Sequence, residues 1–187
     1  MAARTTRPRT KRRSAPTSPA SIHLTLNPSV EDIAAIWDAM RQDTMLWYWT
    51  AWSPTSLEDL LGRLGSQELV ILGTVDGQRA GACFLNNIVA HPQTRRPLHC
   101  NADIYLLPAY RGAVGLRMYT PMRDMILTTL GFQQFYVAMR LDHTASQRLA
   151  ATCGLYRCGI VPRYLPVGDA VVDIVLYAAV PPEEQHK

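Results

Sequence analysis

The chain has 187 residues, of which 48% are hydrophobic and 18% are charged. This length and balance suit one globular domain with a tail, or at most two small domains. No apolar run approaches the roughly 18–20 residues that a membrane span needs. The N-terminus also lacks the hydrophobic core of a secretion signal, so we expect a cytoplasmic protein without membrane contact.

The net charge of +4 is misleading, because the positive charge is concentrated at the N-terminus. Arg and Lys cluster over residues 4–13, residues 1–20 hold no acid, and the rest of the chain is nearly neutral. Such a segment cannot bury enough apolar surface to fold. We predict a disordered basic tail over 1–20, a domain over 21–180 and a frayed end over 181–187. The tail either contacts nucleic acid weakly through residues 4–13 or is simply solvated.

The four cysteines are spaced as core thiols rather than as ligands. They form no CxxC pair, and no matching set of histidines stands at zinc spacing. We therefore predict no metal site, and we expect a reducing compartment.

The folded part begins with a strand and two helices. Alternating apolar residues over 22–26 predict the strand, and Asn27 or Ser29 caps the helix that follows. Thr55 or Ser56 starts a second, short helix with leucines at helical spacing.

Three of the four tryptophans lie between these two helices, at Trp47, Trp49 and Trp52. Aromatic rings in a loop can form an apolar or cation-binding pocket for a substrate. They can equally pack the first helices onto the sheet, and the sequence leaves both interpretations open.

The remaining pattern predicts a sheet crossed by two further helices. Strands are predicted over 68–75, 79–89, 98–107, 134–141, 156–164 and 170–180. A hairpin turn at Asp76-Gly77 joins the first two of these strands. Antiparallel hairpins thus surround one β-α-β crossover. The fold class is therefore α+β, with a mixed and mostly antiparallel sheet of about 6–7 strands flanked by helices.

The segment 101–130 reads as strand, tight turn and helix. A helix start presents unpaired N–H groups and the positive end of a dipole, so it attracts anions. Gly112 and Gly115 allow close approach of a ligand, and Arg111 adds a charge suited to phosphate. We expect this turn to hold a pyrophosphate.

Pro121 allows two interpretations of the helix in this segment. The helix either starts early and is kinked at the proline, or it starts late with the proline in its first turn. Val114 and Met118 continue the apolar stripe, which favours the early start.

The run LLPAYRGAVG and the closing HTASQRLAATCGLYRCGIVPRYL…VVDIVLYA resemble the GCN5-related N-acetyltransferase (GNAT) superfamily over residues 22–180. The resemblance implies acetyl-CoA as co-substrate, with its pyrophosphate on the turn and its pantetheine arm between two splayed central strands. An amine acceptor, a small molecule or a protein, would arrive over the first helices, where the tryptophans would contact it.

The resemblance also implies roles for single residues. Asp103, on the strand before the turn, would be the catalytic base, and His99 lies in phase with it on the same face. The implied cofactor contacts comprise the strand end, the turn and the start of the late helix. They are Leu106, Leu107, Tyr110, Arg111, Gly112, Ala113, Val114, Gly115 and His143.

The chain departs from the family pattern at two places. The turn Gln/Arg-x-x-Gly-x-Gly/Ala is degenerate in either register, and Ala150 occupies the position of the tyrosine that protonates the departing thiolate. Tyr110 or Tyr156 could replace that tyrosine, but nothing in the sequence selects either. Two functions therefore stand: an acetyl-CoA-dependent N-acetyltransferase of an unidentified amine, or an inactive binding or assembly module with a basic arm. Either would be a monomer or a homodimer.

Overall fold

The computed structural model describes residues 20–43, 54–64, 68–167 and 169–181. Residues 1–19 of the predicted basic tail over 1–20 lie outside the described residues, as do the predicted substrate-binding residues Trp47, Trp49 and Trp52.

One seven-stranded sheet runs through the domain in the order β1-β2-β3-β4-β5-β7-β6. Its strands are β1 Ile22–Leu26, β2 Leu69–Val75, β3 Gln78–Ala90, β4 Pro97–Leu106, β5 Gln134–Arg140, β6 Tyr156–Val167 and β7 Ala170–Ala179. Every neighbouring pair is antiparallel except β4 and β5, which are parallel. The predicted α+β class and mixed, mostly antiparallel sheet are confirmed.

The last hairpin is longer than its sequence pattern predicts. β6 continues past Tyr164 to Val167 because the ladder with β7 shifts register between Val161 and Leu165. Such an irregularity lets the edge strand pass Pro162, which has no N–H group to offer a ladder.

Within the described ranges, four α-helices flank the sheet: α1 Val30–Gln42, α2 Leu57–Leu64, α3 Ala113–Asp124 and α4 Thr144–Thr152. Of the two predicted caps of α1, Ser29 is the one used, since its hydroxyl accepts the Asp32 N–H at 3.2 Å. The early start predicted for α3 is also confirmed, because the helix begins at Ala113 and runs through Pro121. A π-helical turn over Met125–Thr129 follows directly.

The helices cover the sheet from both sides, and the described residues form three buried apolar clusters, of which the smallest surrounds Met118. α1 and α2 pack on one face, where Ile36, Met40 and Leu60 meet Phe84 of β3. α3 and α4 pack on the other face, where the large core includes Met122. The two layers leave one gap in the sheet, between β4 and β5.

Candidate active-site cleft

The parallel strands β4 and β5 separate after a short stretch of pairing. They pair from His99 with Gln134 to Asn101 with Tyr136, although β4 runs on to Leu106. A cavity of about 560 Å³ opens where the strands diverge, and α3 and α4 form its other walls. This volume lies in the usual range of a small-molecule site.

The first turn of α3 forms part of the cleft wall. Gly112 precedes the helix with φ 78° and ψ −128°, a conformation that favours glycine. The first intrahelical bond runs from the Leu116 N–H to the Gly112 carbonyl, at 3.0 Å. The N–H groups of the residues before Leu116 therefore precede the helical ladder, and no side chain caps them. An anion at this turn would meet these donors and the helix dipole.

Gly115 brings this turn close to the end of β4. A Cβ atom there would lie 2.5 Å from Leu106 Cδ1 and 3.3 Å from the Tyr110 carbonyl oxygen. The missing side chain thus lets the first turn of α3 rest directly on the strand.

The predicted contacts of the turn fall into two groups. Gly112, Ala113 and Gly115 line the cavity. Val114 and Tyr110 instead pack against the apolar cluster around Met118. The sequence therefore located the turn, but the side chains of its middle residues serve packing.

The backbone of β4 offers donors to the cleft at alternate residues. The Leu107 N–H is bonded to the Ala80 carbonyl at 2.9 Å, so it points towards β3. Because N–H groups alternate in direction along an antiparallel strand, those of Leu106 and Ile104 point the other way, towards the gap beside β5. Of the two predicted contacts at the strand end, Leu106 and Leu107, Leu106 is the one that directs its N–H group at the cleft.

Arg111 is held by partners rather than extended as a lone cation. Its Nε donates to the Leu106 carbonyl at 3.1 Å, and its guanidinium forms an ion pair with Asp43 at the end of α1. The Tyr105 hydroxyl donates to the same carboxylate at 3.0 Å. Arg111 still lines the cavity, with 36% of its side chain exposed.

Asp103, the predicted base, lines the cavity and lies half-buried on β4. Asn86, on β3, donates its amide N–H to Asp103 Oδ2 at 2.6 Å. Asn86 is 1% exposed, and its own carbonyl oxygen has no hydrogen-bond partner within the described part of the chain. His99 is in phase with Asp103 as predicted, but it packs edge-on against Tyr136 and does not line the cavity.

The α4 side of the cleft carries His143 and also Arg148, which was not predicted from the sequence. His143 directly precedes α4 and lines the cavity, and its Nδ1 is 2.9 Å from the Ser146 hydroxyl. Burial is the largest influence on the pKa of His143 and lowers it from the ordinary value of 6.5. Arg148 lines the same wall.

No hydroxyl stands at the position of the family's general acid. Ala150 lines the cavity there, and neither Tyr110 nor Tyr156 is among the residues of its wall. Tyr156 instead accepts a hydrogen bond from the Gln134 amide and is 45% exposed. Tyr119 does line the cavity, but its hydroxyl is buried and has no partner among the residues described.

Within the described ranges, no group of three His, Cys, Asp or Glu side chains is placed to hold a metal ion. Nor is any described helix both long and apolar enough to cross a bilayer.

Solved structures resemble the chain over most of its length. Ribosomal-protein-S5-alanine acetyltransferase from Vibrio fischeri is 15% identical and superposes with a TM-score of 0.69, covering 87% of this chain and 94% of that one. Spermidine N-acetyltransferase from Vibrio cholerae, solved with CoA and spermine, is 16% identical at a TM-score of 0.70, covering 84% and 95%. Mycobacterium smegmatis RimJ, solved with CoA-disulfide, is 17% identical at 0.70, covering 90% and 88%.

No protein-family model and no curated protein sequence matches the chain. At these identities the structural likeness establishes the fold, and the fold is the one predicted, that of the GNAT acetyltransferases.

Proposed function

We propose that the protein is a divergent GNAT enzyme that transfers an acetyl group from acetyl-CoA to an amine. The observation that carries the proposal is the cleft between β4 and β5, whose wall includes the uncapped first turn of α3. The neighbours solved with CoA or CoA-disulfide share this fold and support the choice of co-substrate.

The cleft can accommodate each part of that co-substrate. The N–H groups from Gly112 to Gly115 would bind the pyrophosphate, with Arg111 beside it. His143 and Arg148 would face it from α4. The pantetheine arm would lie in the gap, where the strands no longer bond to each other.

The residues around the gap can carry the transfer itself. The amine attacks the carbonyl carbon of the thioester, and the carbonyl oxygen becomes an oxyanion. The N–H groups of Ile104 and Leu106, which point into the gap, would stabilise this oxyanion by hydrogen bonding. Asp103 accepts the proton that the amine loses on forming the amide. The carbon–sulfur bond then breaks, and the thiolate of CoA takes a proton from water, because Ala150 supplies no hydroxyl.

The charges of the site favour an acceptor with a single amine. Asp103 is the one carboxylate among the described residues that line the cleft, and Arg111 and Arg148 oppose a polycation. Residues 44–53, outside the described ranges, contain four aromatic side chains and no acid. The acceptor would meet the side chains of Trp47, Trp49 and Trp52 if these residues contact it. Their ring faces would then attract one ammonium group, and their large apolar surfaces would pack against the apolar part of the same acceptor.

A transfer assay over a panel of amines tests this proposal. The chain would be incubated with acetyl-CoA and a peptide with a free N-terminus, an aromatic monoamine, or spermidine, and the release of CoA thiol would be followed. We expect turnover with a monoamine or peptide and little with spermidine. Turnover with spermidine alone would contradict the proposed acceptor class.

The competing function is a binding module without turnover. Ala150, where the family has its general acid, is the observation that favours it. In this case acetyl-CoA would bind, but no amine in the panel would release thiol above the rate of spontaneous hydrolysis.

A further inference from the structure

A buried carboxylate joins the end of α1 to the phosphate turn. Asp43 follows the last residue of α1, and 5% of its side chain is exposed. The Tyr105 hydroxyl and the Arg111 guanidinium both donate to Oδ2 of this carboxylate, from β4 and from the turn after it. The end of α1, distant in sequence, therefore meets β4 and the turn after it at one group.

Asp43 needs these donors in order to be buried. A carboxylate withdrawn from water is costly unless it is paired and hydrogen-bonded. The negative end of the α1 dipole lies beside it and adds to the cost. Burial and the bond to Asp43 raise the pKa of Tyr105, so its phenol remains protonated and donates.

Arg111 is consequently fixed in orientation. Its Nε is held by the Leu106 carbonyl, its Nη2 by Asp43, and its Cζ lies 6.0 Å from the centre of the Tyr105 ring. A guanidinium is a planar fork with five donors, so fixing two of them aims the others. The exposed part of Arg111 forms part of the cleft wall next to Gly112.

We propose that Asp43 is a positioning residue for the diphosphate of CoA, acting through Arg111. It holds the guanidinium against the end of β4, so that the remaining N–H groups face the first turn of α3 without a further loss of side-chain freedom. The proposal rests on the proposed function, since the diphosphate is that of the co-substrate. It assigns a role to a residue 68 positions before Arg111 in the sequence.

Titration with CoA tests the direction of the effect. We expect Asp43→Asn to weaken CoA binding about tenfold, or roughly 1.4 kcal/mol, because the guanidinium of Arg111 loses the ion pair that fixes its orientation. Asp59→Asn is the matched control, since Asp59 also pairs with an arginine, Arg63, but on the surface of α2 and outside the cleft wall. Unchanged or tighter binding by Asp43→Asn would overturn the proposal, because Asp43 would then only oppose the phosphate charge.

A double-substitution cycle separates positioning from a general structural role. In the Arg111→Ala background, we expect Asp43→Asn to have no further effect on CoA affinity. We also expect the doubly substituted chain to melt at a higher temperature than Arg111→Ala alone, since it no longer buries a carboxylate charge that has lost its ion pair with Arg111. An equal loss of affinity in both backgrounds would show that Asp43 acts through the packing of α1, and would overturn the proposal.

Arg111→Lys provides a milder variant that keeps the charge. A lysine has no fork to bridge the Leu106 carbonyl and Asp43 at once, so we expect its CoA affinity to match that of Asp43→Asn. Affinity equal to that of the wild type would mean that charge alone suffices. Failure of the folded wild type to bind CoA would instead overturn the proposed function, which keeps the two failures distinct.

Discussion

At the residue scale, the sequence predicts the cleft residues that belong to a local motif. It does not predict the residues that reach the cleft through contacts with distant parts of the chain. Asp103 and Gly112 belong to one strand–turn–helix segment, so their sequence positions fix their neighbourhood. Asp43 and Asn86 reach the cleft through partners 68 and 17 positions away, and no local pattern marks them. Arg148 falls on α4 with no signal beyond its charge.

The first prediction concerns Asp103 as the base. Asp103→Asn should lower kcat/KM by about 10²–10⁴-fold, because an amide cannot accept the amine proton. Acetyl-CoA affinity should stay within about twofold of wild type, since Asp103 lies on β4 and not in the turn that we propose to hold the diphosphate. Steady-state kinetics and a binding titration would measure the two quantities. An Asp103→Asn chain with wild-type kcat/KM would exclude this role.

The second prediction concerns the pH dependence of CoA binding through His143. Burial lowers the pKa of His143, and a bound phosphate would raise it again by favouring the charged ring. Binding should therefore take up a proton and tighten as the pH falls through the interval between these two pKa values. His143→Gln should remove that part of the pH dependence, whereas titration of the phosphate itself would remain. Identical pH profiles for both chains would count against a contact between His143 and the ligand.

At the element scale, the sequence predicts where helices and strands form but not how far apart two strands lie. Capping by Ser29 and the apolar stripe after Ala113 are local signals, and both match the structure. The separation of β4 from β5 after Asn101 is a property of the whole sheet. This separation was predicted from the resemblance to a family, and no pattern within the strands indicates it.

The third prediction concerns the packing of α3 on β4 at Gly115. Gly115→Ala places a methyl group 2.5 Å from Leu106 Cδ1, so either the side chain or the helix must shift. We expect a loss of about 1–3 kcal/mol in the free energy of unfolding, together with weaker CoA binding. Leu106→Ala should restore part of the CoA affinity of Gly115→Ala by removing the clash.

Gly62→Ala is the control for the change in backbone freedom. Gly62 lies within α2, and a Cβ atom there meets nothing within 4 Å. Alanine should therefore stabilise this helix by about 0.5–1 kcal/mol and leave CoA binding unchanged. Denaturation by urea would measure both variants, and equal responses would contradict a special role for Gly115.

At the scale of the whole molecule, the described domain begins at the edge of the predicted tail. Arg117 donates to the Ala20 carbonyl at 2.8 Å, and Ala20 packs on the cluster around Met118. The role of the basic residues over 4–13, like the oligomeric state and the cytoplasmic location, stays a prediction from sequence.

The fourth prediction concerns that tail. Removal of residues 1–19, which spares Ala20, should leave the melting temperature and CoA affinity unchanged. Any binding of duplex DNA that weakens with salt should be lost, because the rest of the chain is nearly neutral. Retention of salt-sensitive DNA binding by the shortened chain would assign that contact to the domain.

The turn before α3 is proposed to bind the diphosphate of acetyl-CoA, and two glycines allow a direct test of this claim. Gly112 and Gly77 have φ values of 78° and 76°, and a Cβ atom at either meets nothing within 4 Å. Alanine at either position should therefore cost about 1–3 kcal/mol of backbone strain. Gly112 opens the cleft turn, whereas Gly77 lies in the β2–β3 hairpin.

Calorimetric titration with acetyl-CoA would compare the wild type with these two variants. We expect one molecule bound per wild-type chain, the same affinity for Gly77→Ala, and binding at least about tenfold weaker for Gly112→Ala, as strain at the turn predicts. No binding by the folded wild type, or equal affinities in all three chains, would contradict the claim.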